Sequence, residues 1–178
     1  MALTLAGRQA AFAEIMRRHR EPIFRLVQGH LGGADDALDV VQESFVAAFV
    51  HLSRYDSARP MRAWLARIAI NKARDWRRRA VVRRLLGVGS ADAESQFLSV
   101  ADDRPGADQE LDARVLLQRV STAISALPRN LKEPFLLRTI EGFSQSETAL
   151  TLRISQKAVE TRVRRARIKL AEALEIAT

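Results

Sequence analysis

Two arginine-dense segments of the sequence have the residue types that bind phosphate. Residues 59–84 contain ten basic residues and one acid, and residues 153–169 contain seven basic residues and one acid. Such clusters favour a nucleic acid as partner, because each phosphate neutralised by a guanidinium or ammonium group releases condensed counterions. The basic residues are Arg59, Arg62, Arg67, Lys72, Arg74, Arg77, Arg78, Arg79, Arg83 and Arg84 in the first segment, and Arg153, Lys157, Arg162, Arg164, Arg165, Arg167 and Lys169 in the second.

The distribution of charge carries more information than its total. The 178 residues have a net charge of +8 and an isoelectric point near 11.0, and a GC-rich coding sequence could by itself account for 25 arginines against four lysines. Residues 91–112, however, hold seven acids against Arg104 alone. Evenly scattered codon bias does not produce basic, acidic and basic blocks. The sequence therefore predicts two nucleic-acid surfaces separated by a spacer that nucleic acid repels.

Composition excludes several other classes of protein. The chain has no cysteine, so it has no disulfide, thiolate metal site or cysteine nucleophile. No apolar run reaches the roughly 18 residues that a membrane span requires, and the N-terminal residues lack the features of a signal peptide. We therefore expect a cytoplasmic protein with no membrane insertion. Three histidines without metal-ligand spacing predict no metal site and no cofactor.

The chain is predicted to be all-α, with two small helical domains. Hydrophobic residues make up 47% of the sequence, and glycine and aromatic residues are few, which favours helices. The segment GVGSADAESQFLSVADDRPGADQE combines Gly, Ser, Asp and Pro-Gly with little periodicity, as linkers do. The predicted boundaries are residues 8–86 for the first domain, 87–110 for a flexible acidic linker and 111–176 for the second domain.

A helix over 38–52 is predicted to carry a polar stripe beside its apolar face. Apolar residues recur there every three or four positions, as on one face of a helix. The spacing alone also fits an ordinary solvated surface, and acids near its start suit the helix dipole. The predicted inward residues are Leu38, Val41, Phe45, Phe49 and Leu52, and the polar stripe consists of Asp39, Gln42, Glu43 and Val46.

The next predicted helix, residues 61–79, carries one face of basic and amide side chains. The steps of four, three and four between these residues place them together, and no acid follows Asp75 until Asp92. This face is called the basic track: Arg67, Asn71, Arg74 and Arg78. Trp64 and Trp76 could stack on bases, but tryptophans at helical spacing belong more often to the core, where we also place Leu65 and Ile68.

The C-terminal segment predicts two helices followed by a helix-turn-helix. A helix over 111–127 is predicted to turn Val115, Leu116, Val120, Ile124 and Leu127 inward. Asn130 and Glu133 fit a capping box for a second helix that ends at Gly142.

The helix-turn-helix is predicted from a third and a fourth helix. Ser144 and Glu147 form a second capping box for a short helix that ends at Leu152, in which Ala149 is small enough for a close crossing. Ser155 caps the longer helix, whose start would contact base edges in the major groove. Its inward residues are Val159, Val163, Ala166 and Leu170, and its outward residues are Gln156, Lys157, Glu160, Thr161 and Arg164.

Three segments in this order resemble the extracytoplasmic-function sigma factors of the sigma-70 family. They are DALDVVQESFVAAFVHLSRYD, RPMRAWLARIAINKARDWRRR and LPRNLKEPFLLRTIEGFSQSETALTLRISQKAVETRVRRARIKL. The resemblance spans about residues 12–174 apart from the linker. It implies a bacterial initiation subunit that performs no chemistry itself, binds core RNA polymerase and directs it to promoter DNA.

The resemblance also implies roles for particular residues. The polar stripe matches the family's Asp-x-x-Gln-Glu signature, which contacts the clamp helices of the beta-prime subunit, so the solvated-surface interpretation is set aside. The basic track matches the helix that melts the minus-ten element, where Asn71 would hold a flipped base. The second domain would contact the minus-thirty-five element and the beta flap, and an anti-sigma protein would regulate the chain. The implied minus-thirty-five residues are Ser155, Gln156, Lys157, Glu160, Thr161, Arg164 and Arg165.

Two residues of the second domain depart from the family's pattern. Arg153 stands in the turn where the family often has Gly, and a positive φ there would cost about 1 kcal/mol. Pro134 replaces a residue that is commonly aliphatic in the family.

Two alternative functions fit part of the sequence. A dimeric helix-turn-helix regulator would explain the C-terminal half equally well, but it would not explain a second basic helix beside a polar stripe. A metal-dependent hydrolase would use four acids in or just before the predicted 38–52 helix, namely Asp35, Asp36, Asp39 and Glu43.

Overall fold

In a computed structural model, the described residues are 2–86 and 107–175, and they are helical almost throughout. This confirms the all-α prediction. Within these ranges no helix is long and apolar enough to cross a membrane. The seven α-helices of the described residues are α1 (Ala2–Leu31), α2 (Ala34–Val50), α3 (Met61–Leu85), α4 (Ala107–Ala126), α5 (Arg129–Phe135), α6 (Gln145–Leu152) and α7 (Gln156–Glu175).

Helices α1, α2 and α3 pack on one another and form the N-terminal bundle. Three alanines of α3 have no solvent exposure, namely Ala66, Ala69 and Ala73, and their small size allows the other two helices to approach closely. The buried face of α2 differs from the predicted one: Leu38 and Phe49 are exposed at its edges, while Phe49 contacts the ring of Phe12 edge to face. The buried residues of α2 are Ala37, Val40, Val41, Ser44, Phe45 and Ala48.

Both tryptophans of α3 pack against this core, as predicted. Trp64 and Trp76 are partly buried, and the ring of Trp64 lies 5.2 Å from the ring of Tyr55. Leu65 is buried and Ile68 partly buried. The periodicity therefore identified the packed side of α3 correctly.

The predicted helix-turn-helix is formed by α6 and α7. The Ser144 hydroxyl accepts from the backbone N–H of Glu147 at 3.1 Å, and the Ser144 N–H donates back to the Glu147 carboxylate at 2.8 Å, which confirms the capping box. The Ser155 hydroxyl accepts from the N–H of Ala158 and starts α7. All four predicted inward residues of α7 are buried: Val159, Val163, Ala166 and Leu170.

The start of the second domain differs from its prediction. The capping box at Asn130 was wrong, because α5 begins at Arg129 after Pro128, and the Glu133 carboxylate pairs with other side chains. Pro134 consequently lies inside α5. This helix continues as a π-helical turn, Leu136–Ile140. The turn ends near Gly142, whose φ of 63° confirms the predicted stop.

Helix α4 also corrects the sequence analysis. Val115 and Leu116 are exposed rather than inward, whereas Ile124 and Leu127 are buried. The last four residues predicted as linker, 107–110, belong to this helix. The rest of the predicted linker lies outside the described residues.

The apolar core continues from the N-terminal bundle into the C-terminal half. Leu136 and Leu137 are buried in the same cluster as Leu26 and Val27 of α1. Gly29 of α1 faces Leu136 so closely that an added Cβ would lie 2.6 Å from Leu136 Cδ2. The two halves therefore form a closed arrangement, in which α1 contacts α4 and the π-helical turn, and α3 contacts α6.

Two positions in the left-handed region test the turn geometry of the C-terminal half. Arg153, between α6 and α7, has φ 56° and ψ 49°, the positive φ whose cost the sequence analysis considered for this turn. We expect Gly142→Ala to lower the free energy of unfolding by about 1 kcal/mol, since only the backbone is strained there. Arg153→Gly should change it in the opposite direction, by up to about 1 kcal/mol after the entropic cost of glycine. Urea unfolding would measure the change in the free energy of unfolding of both variants. Changes of the same sign would contradict a left-handed backbone at both positions.

Candidate nucleic-acid and partner interfaces

The polar stripe of α2 lies on the surface of the N-terminal bundle and borders an open groove. Asp39 and Gln42 are exposed, and Val46 keeps 64% of its surface exposed although it is apolar. The groove has a volume of about 510 Å³. Val50, one turn later, also lines the groove and is 66% exposed, and an exposed apolar patch rimmed by polar residues is typical of a surface that binds another protein. The groove is lined by Asp39, Gln42, Glu43, Val46, Ala47, Val50, His51 and Lys72.

One acid of this stripe is already engaged within the bundle. The Glu43 carboxylate accepts from Lys72 Nζ at 3.2 Å and lies 3.6 Å from Arg79 Nη2, both on α3. These contacts fix the orientation of Glu43 and link the polar stripe to the basic helix. Asp39 and Gln42 remain the outermost polar groups of the groove.

The basic track on α3 lies partly in the contact between the two halves. Asn71 and Arg78 are exposed, and Arg78 pairs with Asp75 one turn earlier. Arg67 is half-buried, and burial together with the charges of Arg153 and Arg59 lowers the pKa of its guanidinium. In the closed arrangement only part of the track faces solvent.

Arg74 of the track is held by a carboxylate of the C-terminal half. Its Nε donates to Glu133 Oε1 at 2.8 Å and its Nη2 donates to Oε2 at 2.5 Å, a bidentate pair that leaves 29% of the Arg74 side chain exposed. Glu133 is itself 4% exposed. Burial raises the pKa of Glu133, but the hydrogen bonds from Arg74 and His30 outweigh it and hold the pKa at about 2.

Two further buried polar groups surround this pair. His30 Nε2 of α1 lies 3.2 Å from Glu133 Oε1, and burial lowers the pKa of the imidazole. Lys132 has no exposed surface, and its Nζ donates to the carbonyl oxygens of Ser125 and His30. Burial and the nearby charge of Arg77 lower the pKa of Lys132 to about 8.

Two more ion pairs join the halves at the edges of this contact. Arg62 of α3 donates to the Glu147 carboxylate at 2.6 and 2.7 Å, and these hydrogen bonds hold the pKa of Glu147 at about 2. Arg25 of α1 donates to Glu141 at 3.1 Å. Because Glu147 also closes the capping box, its ion pair with Arg62 connects the start of the helix-turn-helix to α3.

The outward face of α7 is accessible. Six of the seven residues predicted from the resemblance are exposed and the seventh, Thr161, is half-buried. The Gln156 carbonyl accepts from Gln145 Nε2 of α6 at 2.9 Å, which fixes the angle between the two helices. The start of α7 can therefore meet a major groove without rearrangement of its own domain.

The comparisons with known proteins match both halves of the chain. Residues 15–84 match the model of sigma-70 region 2, and residues 117–170 match that of sigma-70 region 4. The chain is 39% identical over 175 residues to the RNA polymerase sigma factor CnrH of Cupriavidus metallidurans, covering 98% of this chain and 92% of CnrH. The chain belongs to the sigma-70 family of RNA polymerase sigma factors, in its extracytoplasmic-function group.

Two other relatives support this membership or the fold. The extracytoplasmic-function sigma factor SigW of Bacillus subtilis is 28% identical over 170 residues, 94% of this chain and 91% of SigW. The structure of CnrH in complex with the cytosolic domain of CnrY has a TM-score of 0.71 at 33% identity, covering 99% of this chain and 96% of that one. The sigma factor RpoE of Bartonella quintana, solved with the anti-sigma factor NepR, has the same TM-score of 0.71 at 21% identity. The match covers 94% of this chain and 99% of RpoE.

The structure brings residues into the site that sequence reasoning did not assign. Glu133 of α5 contacts Arg74 of α3 and His30 of α1, and Lys132 contacts the His30 carbonyl. Each of these contacts joins residues more than 50 positions apart in the chain. No pattern in the neighbouring sequence predicts that Glu133 is buried and paired with distant residues, and its spacing from Asn130 also fitted a capping box. For the hydrolase alternative, no cluster of three potential ligands for a metal ion occurs in residues 2–86 and 107–175.

The contact between Gly29 and Leu136 gives a way to open the closed arrangement without disturbing α1. Alanine favours a helix over glycine by about 1 kcal/mol, but its Cβ would clash with the buried Leu136, and overpacking costs about 1 to 3 kcal/mol. We expect Gly29→Ala to increase the radius of gyration in small-angle X-ray scattering while helix content is retained. Gly33→Ala is the matched control, since only Asp36 approaches that position. An unchanged radius for both variants would contradict the closed contact.

Proposed function

We propose that this sigma factor binds core RNA polymerase through the polar stripe of α2 and places the basic track of α3 and the outward face of α7 on the two promoter elements. The observation that carries this proposal is the arrangement of these surfaces: α2 and α3 of the region 2 bundle carry the exposed polar stripe and the basic track, and an accessible recognition helix lies in region 4. The chain itself performs no chemistry and acts in the cytoplasm, where polymerase forms the bonds. The proposed domains are residues 8–86 and 111–176 with the linker 87–110 between them, and the last four residues of that linker form the start of α4.

The polar stripe is proposed to contact the clamp helices of the beta-prime subunit. Val46 offers an apolar centre, and Asp39 and Gln42 offer hydrogen-bonding groups around it. Glu43 is held by Lys72, so it presents a fixed carboxylate rather than a mobile one. This combination suits a protein partner better than DNA, because phosphate repels the two acids.

The basic track is proposed to bind the melted minus-ten element. Arg67, Arg74 and Arg78 would follow the phosphates of the single strand, while the Asn71 amide would hydrogen-bond a base flipped out of the stack. In the closed arrangement the Glu133 carboxylate accepts hydrogen bonds from the Arg74 guanidinium, so the proposed binding of promoter DNA requires the two halves to separate. We infer that core polymerase or DNA supplies the free energy for this separation.

Region 4 is proposed to bind the minus-thirty-five element and the beta flap. Arg164 and Arg165 are exposed and can reach guanine or phosphate, and Glu160 can accept from a cytosine amino group. Ser155, Gln156, Lys157 and Thr161 complete the proposed surface at the start of α7.

An anti-sigma protein is the proposed regulator of the closed arrangement. CnrH was solved with the cytosolic domain of CnrY and the Bartonella sigma factor with the anti-sigma factor NepR. A partner that binds only the closed arrangement would keep Arg74 on Glu133 and thereby keep the basic track covered.

Run-off transcription with cognate core polymerase tests the proposed function directly. The purified chain should confer initiation at defined start sites on core enzyme, and mapping those sites would identify both promoter elements. A dimeric regulator would bind DNA without changing where core enzyme starts, so failure to confer initiation on a cognate core would overturn the proposal.

Removing two exposed groups of the polar stripe should weaken polymerase binding alone. We expect Asp39→Ala combined with Gln42→Ala to lower the affinity for core polymerase by about tenfold, as for the loss of one or two hydrogen bonds of about 1 kcal/mol each. Asp35→Ala, an exposed acid one turn earlier on α2, is the control. Affinity can be measured by fluorescence anisotropy with labelled chain. Equal affinities for the two variants would remove the stripe from the interface.

Replacing Arg165 distinguishes base recognition from phosphate binding. If the guanidinium contacts a guanine, Arg165→Ala should reduce the preference for the minus-thirty-five element by about 1 to 3 kcal/mol. Binding of matched and mutated promoter fragments would be compared at fixed salt, with Arg129→Ala of α5 as the control. A uniform loss on both fragments would show that Arg165 binds phosphate only.

A further inference from the structure

A cavity lies in the closed arrangement between the basic track and the helix-turn-helix. Its volume is about 200 Å³, whereas one water molecule requires only about 10 to 15 Å³ of such space. Neither half forms this cavity alone, since one wall belongs to α3 and the other to the end of α6 and the turn after it. The lining residues are Arg67, Ile70, Asn71, Arg74, Thr151, Leu152 and Arg153.

The cavity wall has more positive charge than the described residues neutralise. Arg74 is paired with Glu133, but Arg67 and Arg153 have no ion pair among residues 9–86 and 114–174. Burial, together with the nearby positive charges of Arg153 and Arg59, lowers the pKa of Arg67. The closed arrangement therefore brings two unpaired cations together, and an anion between them would remove the repulsion.

The uncharged groups of the wall suit the same kind of ligand. The Asn71 Oδ1 accepts from Arg74 Nη1 at 3.4 Å, so the two hydrogens of its amide remain available as donors. The Thr151 hydroxyl already donates to the Glu147 carbonyl. Among residues 9–86 and 114–174, no carboxylate lines the cavity, so the polar side chains of its described wall are predominantly donors.

We propose that this interdomain cavity binds a small oxyanion of the phosphate class, held by Arg67 and Arg153 with the Asn71 amide as a third donor. Guanidinium groups bind phosphate oxygens through charge-assisted hydrogen bonds in a planar fork. The site exists only while the two halves are in contact, so its ligand stabilises the closed arrangement by mass action.

This inference rests on the proposed function in one respect, because Arg67, Asn71 and Arg74 are also the proposed minus-ten contacts. An anion in the cavity occupies those groups and holds α6 against them. The ligand therefore opposes promoter binding twice, by direct competition and by favouring the closed arrangement. Arg153 contributes only to the second effect, since it is not among the proposed DNA contacts.

Calorimetric titration of the full chain with pyrophosphate, at constant ionic strength set with chloride, tests the site. The wild type should show one saturable site. Arg67→Gln and Arg153→Gly should each weaken it about tenfold or more, as for loss of a charged hydrogen bond, and the exposed Arg84→Gln control should not. Glycine suits the positive φ of Arg153, so that variant retains the turn. Absence of saturation, or equal weakening by Arg84→Gln, would overturn the proposal.

Two further titrations identify the source of the oxyanion. Inorganic phosphate and ADP are compared with pyrophosphate under the same conditions. Binding of ADP as tight as that of pyrophosphate would support a nucleotide ligand, and binding of the inorganic anions alone would support a free phosphate.

Competition with DNA separates this site from general screening of the basic track. Pyrophosphate should weaken binding of a single-stranded minus-ten oligonucleotide to the wild type more than to Arg153→Gly. Equal weakening would show that the anion acts only on the track and would overturn the proposal. The calorimetric result does not depend on polymerase or promoter, so failure of the proposed function would be seen separately, in run-off transcription.

Discussion

The bidentate ion pair between Arg74 and Glu133 is the interaction on which the arrangement of this sigma factor depends. It joins α3, the helix proposed to melt DNA, to α5 of the second domain. Removing one member of a buried pair costs roughly 3 to 5 kcal/mol, because the other charge stays uncompensated. Arg74 keeps some exposure, which places it at the lower end of that range. The same guanidinium cannot serve Glu133 and a phosphate at once.

The groups around this pair explain why the contact is specific and still reversible. Burying Lys132 and His30 is unfavourable by itself, as their lowered pKa values record. Within the part of the chain that the structure describes, the His30 Nδ1 has no hydrogen-bond partner. The apolar contact of Leu136 on Gly29 offsets part of this cost. A contact built from opposing contributions can be opened by a partner that engages either half, whereas a purely apolar core would not separate readily.

Local patterns predicted the helices and the helix-turn-helix, because capping boxes and apolar periodicity depend on residues close in sequence. Ser144, Glu147 and Ser155 act as predicted, and the left-handed Arg153 follows from the turn that the motif requires. The long-range pairs were not predictable in the same way. Glu133 has the spacing of a capping residue, and only the fold shows that its carboxylate meets α1 and α3. The exposure of Val115 and Leu116 was missed for the same reason, since periodicity identifies a face and not what covers it.

The measurement that tests this account most directly is the distance between α3 and α6 in solution. The chain has no native cysteine, so Val82→Cys together with Leu150→Cys, both exposed, would carry two spin labels at known positions. Pulsed electron paramagnetic resonance should give one short, narrow distance distribution for the free chain and a longer one when core polymerase and promoter DNA are added. A broad, long distribution in the free chain, or an unchanged one in the promoter complex, would contradict the claim that Arg74 exchanges Glu133 for DNA.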